Sequence, residues 1–164
     1  MKETYRERAR LRFVGYVSFA LFLLFLDQWT KSLVVTGFAY GEFRPVTSFF
    51  NLCYVRNTGA AFSLFSDAGA WKFLLLGGLA VLLSVAILVY LWRKNERIVH
   101  CLAYSLVLSG ALGNLYDRVM TGSVVDFLDF YIGAYHWPAF NVADIAICLG
   151  AGIVIIKELF AKDG

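Results

Sequence analysis

Four long apolar windows constrain the fold of this chain more than any other feature. They cover residues 13–35, 71–92, 98–119 and 140–160. Each is close to the roughly 20 residues that an α-helix needs to cross the hydrocarbon core of a bilayer. Because 60% of the 164 residues are hydrophobic and only 16% are charged, a soluble domain of this size could not bury the apolar surface. The sequence predicts an integral membrane protein, mainly α, forming a single domain with four transmembrane helices.

The basic residues predict the orientation of these spans. Segments on the cytoplasmic side of a membrane carry an excess of lysine and arginine. The N-terminal stretch, the link between the second and third spans and the C-terminus are basic, whereas residues 121–139 contain neither residue type. Both termini are therefore predicted to be cytoplasmic, and residues 36–70 and 120–139 extracytoplasmic. The net charge of +3 is a topology signal and does not indicate a nucleic-acid partner.

The N-terminus also resembles a secretory signal, because a basic stretch is followed by the apolar run 13–26. Two observations favour a retained helix instead. No small-residue cleavage site follows at the usual distance, and the helical pattern continues through Asp27 and Lys31 to Val35. We therefore expect this segment to be the first span.

The two extracytoplasmic segments contain the signals for non-helical structure. Residues 49–55 are rich in strand-forming side chains, which predicts a small sheet lying on the membrane. The turn-like residues 56–59 follow, so Asn57 is expected where the chain changes direction. Residues 120–139, which include Asp129 and Gly133, are interpreted as a short interfacial lid.

The polar residues within the spans fall at one predicted depth. A rise of about 1.5 Å per residue places Asp27 and Lys31 about 21 and 27 Å along the first span. The same rise places a polar group of the third span about 24 to 30 Å from its start, and Asp144 about 6 Å into the fourth. That group consists of Asn114, Asp117 and Arg118. All of these residues should meet near the extracytoplasmic surface, where Asn57, Asp126 and Asn141 arrive from the adjoining segments.

Most of these residues also have a purely structural explanation. Asp27 and Lys31 are one helical turn apart and could neutralise each other. The polar group of the third span has i, i+3 and i+4 spacing and could be a hydrogen-bonded helix terminus. Asn141 could cap the fourth helix, with Asp144 in its first turn. Gly110 and Gly113 are typical of close helix packing rather than of a chemical role.

Asp126 has no such helix-terminal role, yet it is expected at the same level as Asp144. Two carboxylates that share a site cannot both ionise cheaply, so one holds a proton while the other is charged. Such a pair can donate a proton to a carbonyl oxygen and activate a water molecule. The pattern is typical of aspartyl peptide hydrolysis, with Asp126 and Asp144 as candidate catalytic residues.

Other chemistries find less support in the sequence. The two histidines, His100 and His136, have no metal-ligand spacing, and no glycine-rich phosphate loop is present. We therefore predict neither a metal nor a cofactor. A proton-coupled carrier could also use paired carboxylates, but internal repeats and polar residues at the membrane midplane are absent. A noncatalytic assembly subunit would not need two aspartates at this surface.

Five ordered strings resemble the bacterial lipoprotein signal peptidases, also called type II signal peptidases. The strings are DQWTK at 27–31, NTGAAF at 57–62, GALGNLYDR at 110–118, VVDF at 124–127 and FNVAD at 140–144. DQxxK alone would be a weak signal. Together the five strings are highly specific, and they extend from the first predicted span to the fourth.

This resemblance implies an intramembrane aspartyl endopeptidase of the bacterial cytoplasmic membrane. Such an enzyme removes the signal peptide from diacylglyceryl-modified prolipoproteins by cleaving on the N-terminal side of the lipidated cysteine. The resemblance implies that Asp126 and Asp144 form the catalytic dyad near the extracytoplasmic face. It implies four transmembrane helices, a small extracytoplasmic sheet, a short interfacial helix, contact with membrane lipids and a monomer. The implied supporting or substrate-binding residues are Asp27, Lys31, Asn57, Gly110, Asn114, Asp117, Arg118 and Asn141.

Overall fold

The computed structural model describes residues 2–59, 71–93 and 97–160, and within them the chain forms four helices. The helices are α1 (Lys2–Gly37), α2 (Trp71–Arg93), α3 (Ile98–Thr121) and α4 (Val142–Phe160). Each predicted window corresponds to one of them. The largest difference is at α1, which begins at Lys2 rather than near residue 13. The basic stretch before residue 13 has no glycine or proline and is rich in good helix formers, so the helix continues through it.

Three of these helices are long and apolar enough to cross a membrane, over Thr4–Gly37, Leu74–Arg93 and Ile98–Thr121. The fourth helix has charged residues only near its ends, with Asp144 in its first turn and Lys157 in its last. Residues 145–156 between them are all apolar or glycine. This pattern agrees with the predicted membrane architecture of four helices.

Helix α3 is central and contacts each of the other three helices. Its closest approach is to α4, where glycine replaces a side chain on both helices. A Cβ atom on Gly110 would collide with the Ala143 carbonyl oxygen, and one on Gly150 would collide with the Ala103 carbonyl oxygen. The interpretation of Gly110 as a close-packing position is therefore confirmed, and this packing sets the start of α4 beside α3.

A four-stranded antiparallel sheet joins the two segments that were predicted to be extracytoplasmic. Its strands are β1 (Phe43–Thr47), β2 (Phe50–Asn57), β3 (Val124–Ile132) and β4 (Tyr135–His136), in that spatial order. The sheet predicted from residues 49–55 is confirmed by β2. In the β2–β3 pairing, Val55 lies opposite Asp126. The sheet therefore brings β3 to the ends of α1 and α3.

The segment interpreted as an interfacial lid, residues 120–139, contains β3 and β4. Val124, Val125 and Phe127 are strong strand formers, and they lie in the strand that pairs with β2. The side chains of Val125 and Phe127 also pack in a cluster with Tyr54 of β2 and Val34 of α1. Gly133 allows the tight turn to β4 with a φ of 60°. The structure describes no short interfacial helix between residues 120 and 139. Residues 60–70, including residues 60–62 of the second motif, lie outside the described residues.

Candidate active site

Asp126 lies in β3 and is almost completely buried, with 2% of its surface exposed. Its Oδ1 accepts a hydrogen bond of 2.7 Å from the Asn141 side-chain amide. The Asn57 side chain also hydrogen-bonds to this carboxylate. Burial raises the pKa of Asp126 to about 7, and the nearby negative charge of Asp144 acts in the same direction. The two asparagine hydrogen bonds oppose this rise because they stabilise the charged form.

Asp144 lies in the first turn of α4 and is partly exposed. Its Oδ1 accepts a hydrogen bond of 2.8 Å from the Asn114 side chain, and its Oδ2 accepts one of 3.2 Å from the Asn141 backbone amide. In return, the Asp144 backbone amide donates to Asn141 Oδ1 over 3.0 Å. This reciprocal pair confirms Asn141 as the N-cap of α4. Because Asn141 also contacts Asp126, one residue both caps the helix and links the two candidate catalytic carboxylates.

Lys31 is a buried cation at the centre of the supporting residues. Its Nζ lies 2.8 Å from an oxygen of Asp27 and 2.8 Å from an oxygen of Asp117. It also donates to Asn114 Oδ1 over 3.1 Å. The interpretation of Asp27 and Lys31 as a neutralising pair is therefore confirmed, but the group is larger than the sequence suggested. Lys31 therefore orients the Asn114 side chain: the amide oxygen of Asn114 faces Lys31, and its amide nitrogen is directed at Asp144.

Asp27 connects α1 to the beginning of α4. Its Oδ1 accepts a hydrogen bond of 2.9 Å from the Ala143 backbone amide, one of the amides at the helix start that have no partner within the helix. A Cβ atom on Gly113 would lie 2.6 Å from Asp27 Oδ2, so only glycine leaves room for this carboxylate. Gly113 was quoted within a motif but was not predicted as a site residue.

Arg118 holds the turn that follows β2. Its guanidinium donates to the Gly59 carbonyl oxygen over 2.7 Å and to the Asn114 carbonyl oxygen over 3.2 Å. Asn57 Oδ1 accepts a hydrogen bond of 2.9 Å from the Gly59 backbone amide within the same turn. Arg118 therefore fixes the turn that places Asn57 beside Asp126. The structure thus brings nine of the ten predicted site residues into one cluster, and Gly110 supports it through helix packing.

Two further buried polar contacts were missed by the sequence reasoning, one within the cluster and one outside it. The Gln28 side chain donates to Asp117 over 2.9 Å and to Asp27 over 3.1 Å, so it ties α1 to α3. Its place inside the first motif was the available signal. Asn51 donates to the buried Asp129 over 2.7 Å at the far end of the sheet. No sequence signal identifies that pair, because it depends on the register of β2 against β3.

An apolar cavity of about 390 Å³ opens beside Asp144. It lies between the connection that precedes α4 and the outward face of that helix. Its described lining includes Trp137, Phe140, Ile145, Cys148 and Leu149. Asp144 is the charged residue of this lining, so an apolar group lying in the cavity would meet a carboxylate at one end.

Comparison with known proteins places this arrangement in a family. A family model described as signal peptidase (SPase) II matches residues 19–160. The chain belongs to the signal peptidase II family. It is therefore an aspartic peptidase of a bacterial membrane, and the carrier and assembly-subunit alternatives lose their support.

Individual relatives agree with this assignment. The lipoprotein signal peptidase of Cupriavidus taiwanensis is 52% identical over 144 residues, which are 88% of this chain and 82% of that protein. The lipoprotein signal peptidase of Yersinia pestis is 46% identical over 140 residues, which are 84% of this chain and 82% of that protein. Two solved structures of bacterial membrane enzymes have TM-scores of 0.80 and 0.79 at 31% and 32% identity. The matched regions cover 90% and 88% of this chain, and 89% and 92% of the chains in those two structures.

Proposed function

We propose that Asp126 and Asp144 are the catalytic dyad of this signal peptidase. Its substrates are diacylglyceryl-modified prolipoproteins, which it cleaves on the N-terminal side of the lipidated cysteine. The name shared by the relatives supports the substrate class. The observation that carries the dyad is the position of Asn141, whose side chain hydrogen-bonds to Asp126 while its backbone amide hydrogen-bonds to Asp144.

The environments of the two carboxylates suit them to different roles in the proposed reaction. Asp126 is the more deeply buried, and its pKa of about 7 favours the protonated acid. Asp144 is partly exposed, so a water molecule can reach it, and its two carboxylate oxygens accept hydrogen bonds from Asn114 and from the Asn141 backbone. Asp126 is therefore the general acid and Asp144 the general base at the start of the reaction.

Peptide hydrolysis then proceeds in two steps. Asp144 removes a proton from a water molecule as the water oxygen attacks the scissile carbonyl carbon. Asp126 gives its proton to the carbonyl oxygen, so a neutral tetrahedral diol forms. When the diol collapses, Asp144 returns its proton to the leaving nitrogen, the C–N bond breaks and Asp126 regains a proton from the diol. Atoms and charges balance, and both carboxyl groups return to their starting states.

The supporting residues keep this pair aligned. Lys31 compensates the buried charges of Asp27 and Asp117, each of which would be costly alone at this depth. Through Asn114, the same lysine orients the amide that donates to Asp144. These residues do not need to touch the scissile bond, so their role is positioning.

The proposed placement in the membrane follows from the positions of charge and apolar surface. Both termini are cytoplasmic, the sheet and the dyad lie near the extracytoplasmic face, and residues 1–164 form one membrane domain that acts as a monomer. A lipidated cysteine would hold the scissile bond at the membrane surface, beside the dyad. The apolar cavity next to Asp144 offers a surface for an acyl chain or an apolar side chain of the substrate.

Cleavage by the purified protein tests this proposal. A diacylglyceryl-modified prolipoprotein is incubated in detergent with the wild type, Asp126→Asn, Asp144→Asn or Asp129→Asn, and the products are followed by gel shift and mass. Asp129 is a matched control because it is another buried aspartate of β3 but pairs with Asn51 outside the cluster.

The wild type and Asp129→Asn should cleave just before the lipidated cysteine, whereas both dyad variants should be inactive but folded. Cleavage near the wild-type rate by either dyad variant would refute the catalytic assignment. If the folded wild type left the lipidated substrate intact, the substrate proposal would fail.

A further inference from the structure

A second cavity lies at the other end of the helices. It has a volume of about 390 Å³ and is lined by Tyr5, Arg6, Ala9, Arg10 and Trp92. The first four residues belong to the N-terminal extension of α1, and Trp92 lies in the last turn of α2. The cavity is therefore formed where two helices meet, not by a single helix end.

The cavity is about one membrane thickness away from the candidate active site. Arg6 and Asp27 lie on the same continuous helix and are 21 positions apart in the sequence. At about 1.5 Å per residue, this separation is about 32 Å, which matches the hydrocarbon core of roughly 30 Å. The cavity thus lies at the opposite membrane surface from the dyad.

Two guanidinium groups in this cavity are available to bind an anion. Arg6 and Arg10 are exposed and one helical turn apart, so they lie on the same face of α1. Among residues 2–59, 71–93 and 97–160, no side-chain ion pair or hydrogen bond involves either of them. Glu7 lies in the same segment, but among the described residues it forms no ion pair with either arginine. Guanidinium groups bind phosphate oxygens with two parallel hydrogen bonds, which suits a phosphate placed between them.

The apolar surface next to the cavity suits lipid chains. Trp92 is 58% exposed and packs edge-on against Phe13, with ring centroids 5.1 Å apart. Exposed side chains continue from Trp92 along one face of α2 at helical spacing, through Val89, Leu88 and Val85. A molecule with its phosphate between the arginines would therefore have an apolar stripe for its acyl chains, with tryptophan at the interface as in membrane proteins generally.

We propose that this cavity is a binding site for an anionic phospholipid. The two arginines bind the headgroup phosphate, and the stripe from Trp92 to Val85 contacts an acyl chain. A small free anion would use only the arginines and gain nothing from the stripe. This inference is independent of the proposed peptidase reaction, because it concerns residues at the other membrane surface.

Native mass spectrometry of the full chain in detergent can test the site. Phosphatidylglycerol and phosphatidylcholine with identical acyl chains are titrated onto the wild type, Arg6→Gln/Arg10→Gln and Arg8→Gln/Arg12→Gln. The second double variant loses the same charge from the same helix but leaves the cavity lining intact. The wild type should prefer phosphatidylglycerol. At about 1 kcal/mol per arginine, loss of the cavity pair should weaken that binding about 30-fold, and the control should bind as the wild type does.

Three results would overturn the proposal. Equal weakening in both double variants would mean general electrostatic attraction rather than a site. Equal affinity for the two lipids would remove the role of the anionic headgroup, and displacement of phosphatidylglycerol by millimolar inorganic phosphate would indicate a site for free anions. Folding is checked independently, because both double variants should cleave substrate as the wild type does. A wild type that binds the lipid but does not cleave would count against the peptidase proposal alone.

Discussion

Asn141 offers the sharpest test of how the cluster works, because it performs two functions that substitution can separate. It is completely buried, its Oδ1 accepts the Asp144 backbone amide at 3.0 Å, and its Nδ2 donates to Asp126 at 2.7 Å. Asn141→Ser keeps a side-chain oxygen for the cap but loses the amide donor. Asn141→Ala loses both. The alanine variant should therefore lose stability and activity, whereas the serine variant should lose mainly activity.

The magnitudes follow from the two interactions. Replacing an N-cap asparagine by alanine costs about 1 kcal/mol of folding stability, and serine is among the equally good capping residues. Asp126 becomes negatively charged as it gives its proton to the carbonyl oxygen, so its hydrogen bond from Asn141 is strongest in the transition state. A hydrogen bond to a charged group contributes about 1.5 to 3 kcal/mol, which corresponds to roughly a 10-fold to 150-fold fall in kcat/KM for either variant.

The pH dependence distinguishes this role from a structural one. Above its pKa, Asp126 has lost the proton that it would give to the carbonyl oxygen, so cleavage should fall with an alkaline limb near pH 7. The hydrogen bond from Asn141 lowers that pKa. Its loss in Asn141→Ser should therefore move the alkaline limb to higher pH.

Two measurements decide the outcome: the unfolding midpoint in detergent and the pH profile of kcat/KM for the three proteins. The reasoning would be refuted if Asn141→Ser matched the wild type in rate and in pH profile while Asn141→Ala lost both rate and stability. Asn141 would then act only as the cap of α4.

Two further predictions concern stability and can be measured by thermal unfolding in detergent. Asp126→Asn should be more stable than the wild type at pH 8, by up to about 4 kcal/mol. Since the folded-state pKa of Asp126 is raised from 3.8 to about 7, the wild type is fully stabilised below pH 4 and loses this stability as the pH rises through 7. The difference should disappear near pH 4, and a difference independent of pH would contradict the assignment. Gly113→Ala should unfold at a lower temperature, because its Cβ would lie 2.6 Å from a carboxylate oxygen of Asp27. Gly152→Ala is the control, with open space around its Cβ and a gain in helix propensity.

The depth of the polar residues could be predicted from sequence because it depends on a single quantity, the rise per residue of a helix. That calculation correctly brought Asp27, Asn114 and Asp144 to one level. It could not predict that Lys31 contacts Asp117 as closely as Asp27, since this depends on the rotation of α1 against α3. That rotation is set by close helix packing that involves glycine. The periodicity of apolar residues in the sequence does not reveal it.

The sheet shows more clearly that contacts set by tertiary packing cannot be predicted from local sequence pattern. Strand-forming composition predicted β2, but residues 124–132 were interpreted as part of a lid, because a short apolar run with two aspartates does not specify its partner. The partner is β2, some 70 residues earlier, and the pairing places Asp129 opposite Asn51. Register between strands so distant in sequence is fixed by tertiary packing, so neither the pairing nor the contact follows from local pattern.

The cap of α4 fixes one of the hydrogen bonds to the two proposed catalytic carboxylates. An N-cap needs a side-chain acceptor, so Asn141 must turn its oxygen towards the helix and its amide nitrogen away from it. That nitrogen can only donate, and the group it meets is Asp126. Asn114 is constrained in the same way, because its oxygen accepts from Lys31 and its nitrogen is left to donate to Asp144. Each carboxylate thus receives one side-chain amide donor whose orientation is fixed by another contact. Each also has a second amide donor, the Asn57 side chain for Asp126 and the Asn141 backbone for Asp144, so the main difference between them is burial. Burial therefore favours Asp126 as the carboxyl group that holds the proton, in keeping with its raised pKa, whereas Asp144 lies partly exposed beside the cavity.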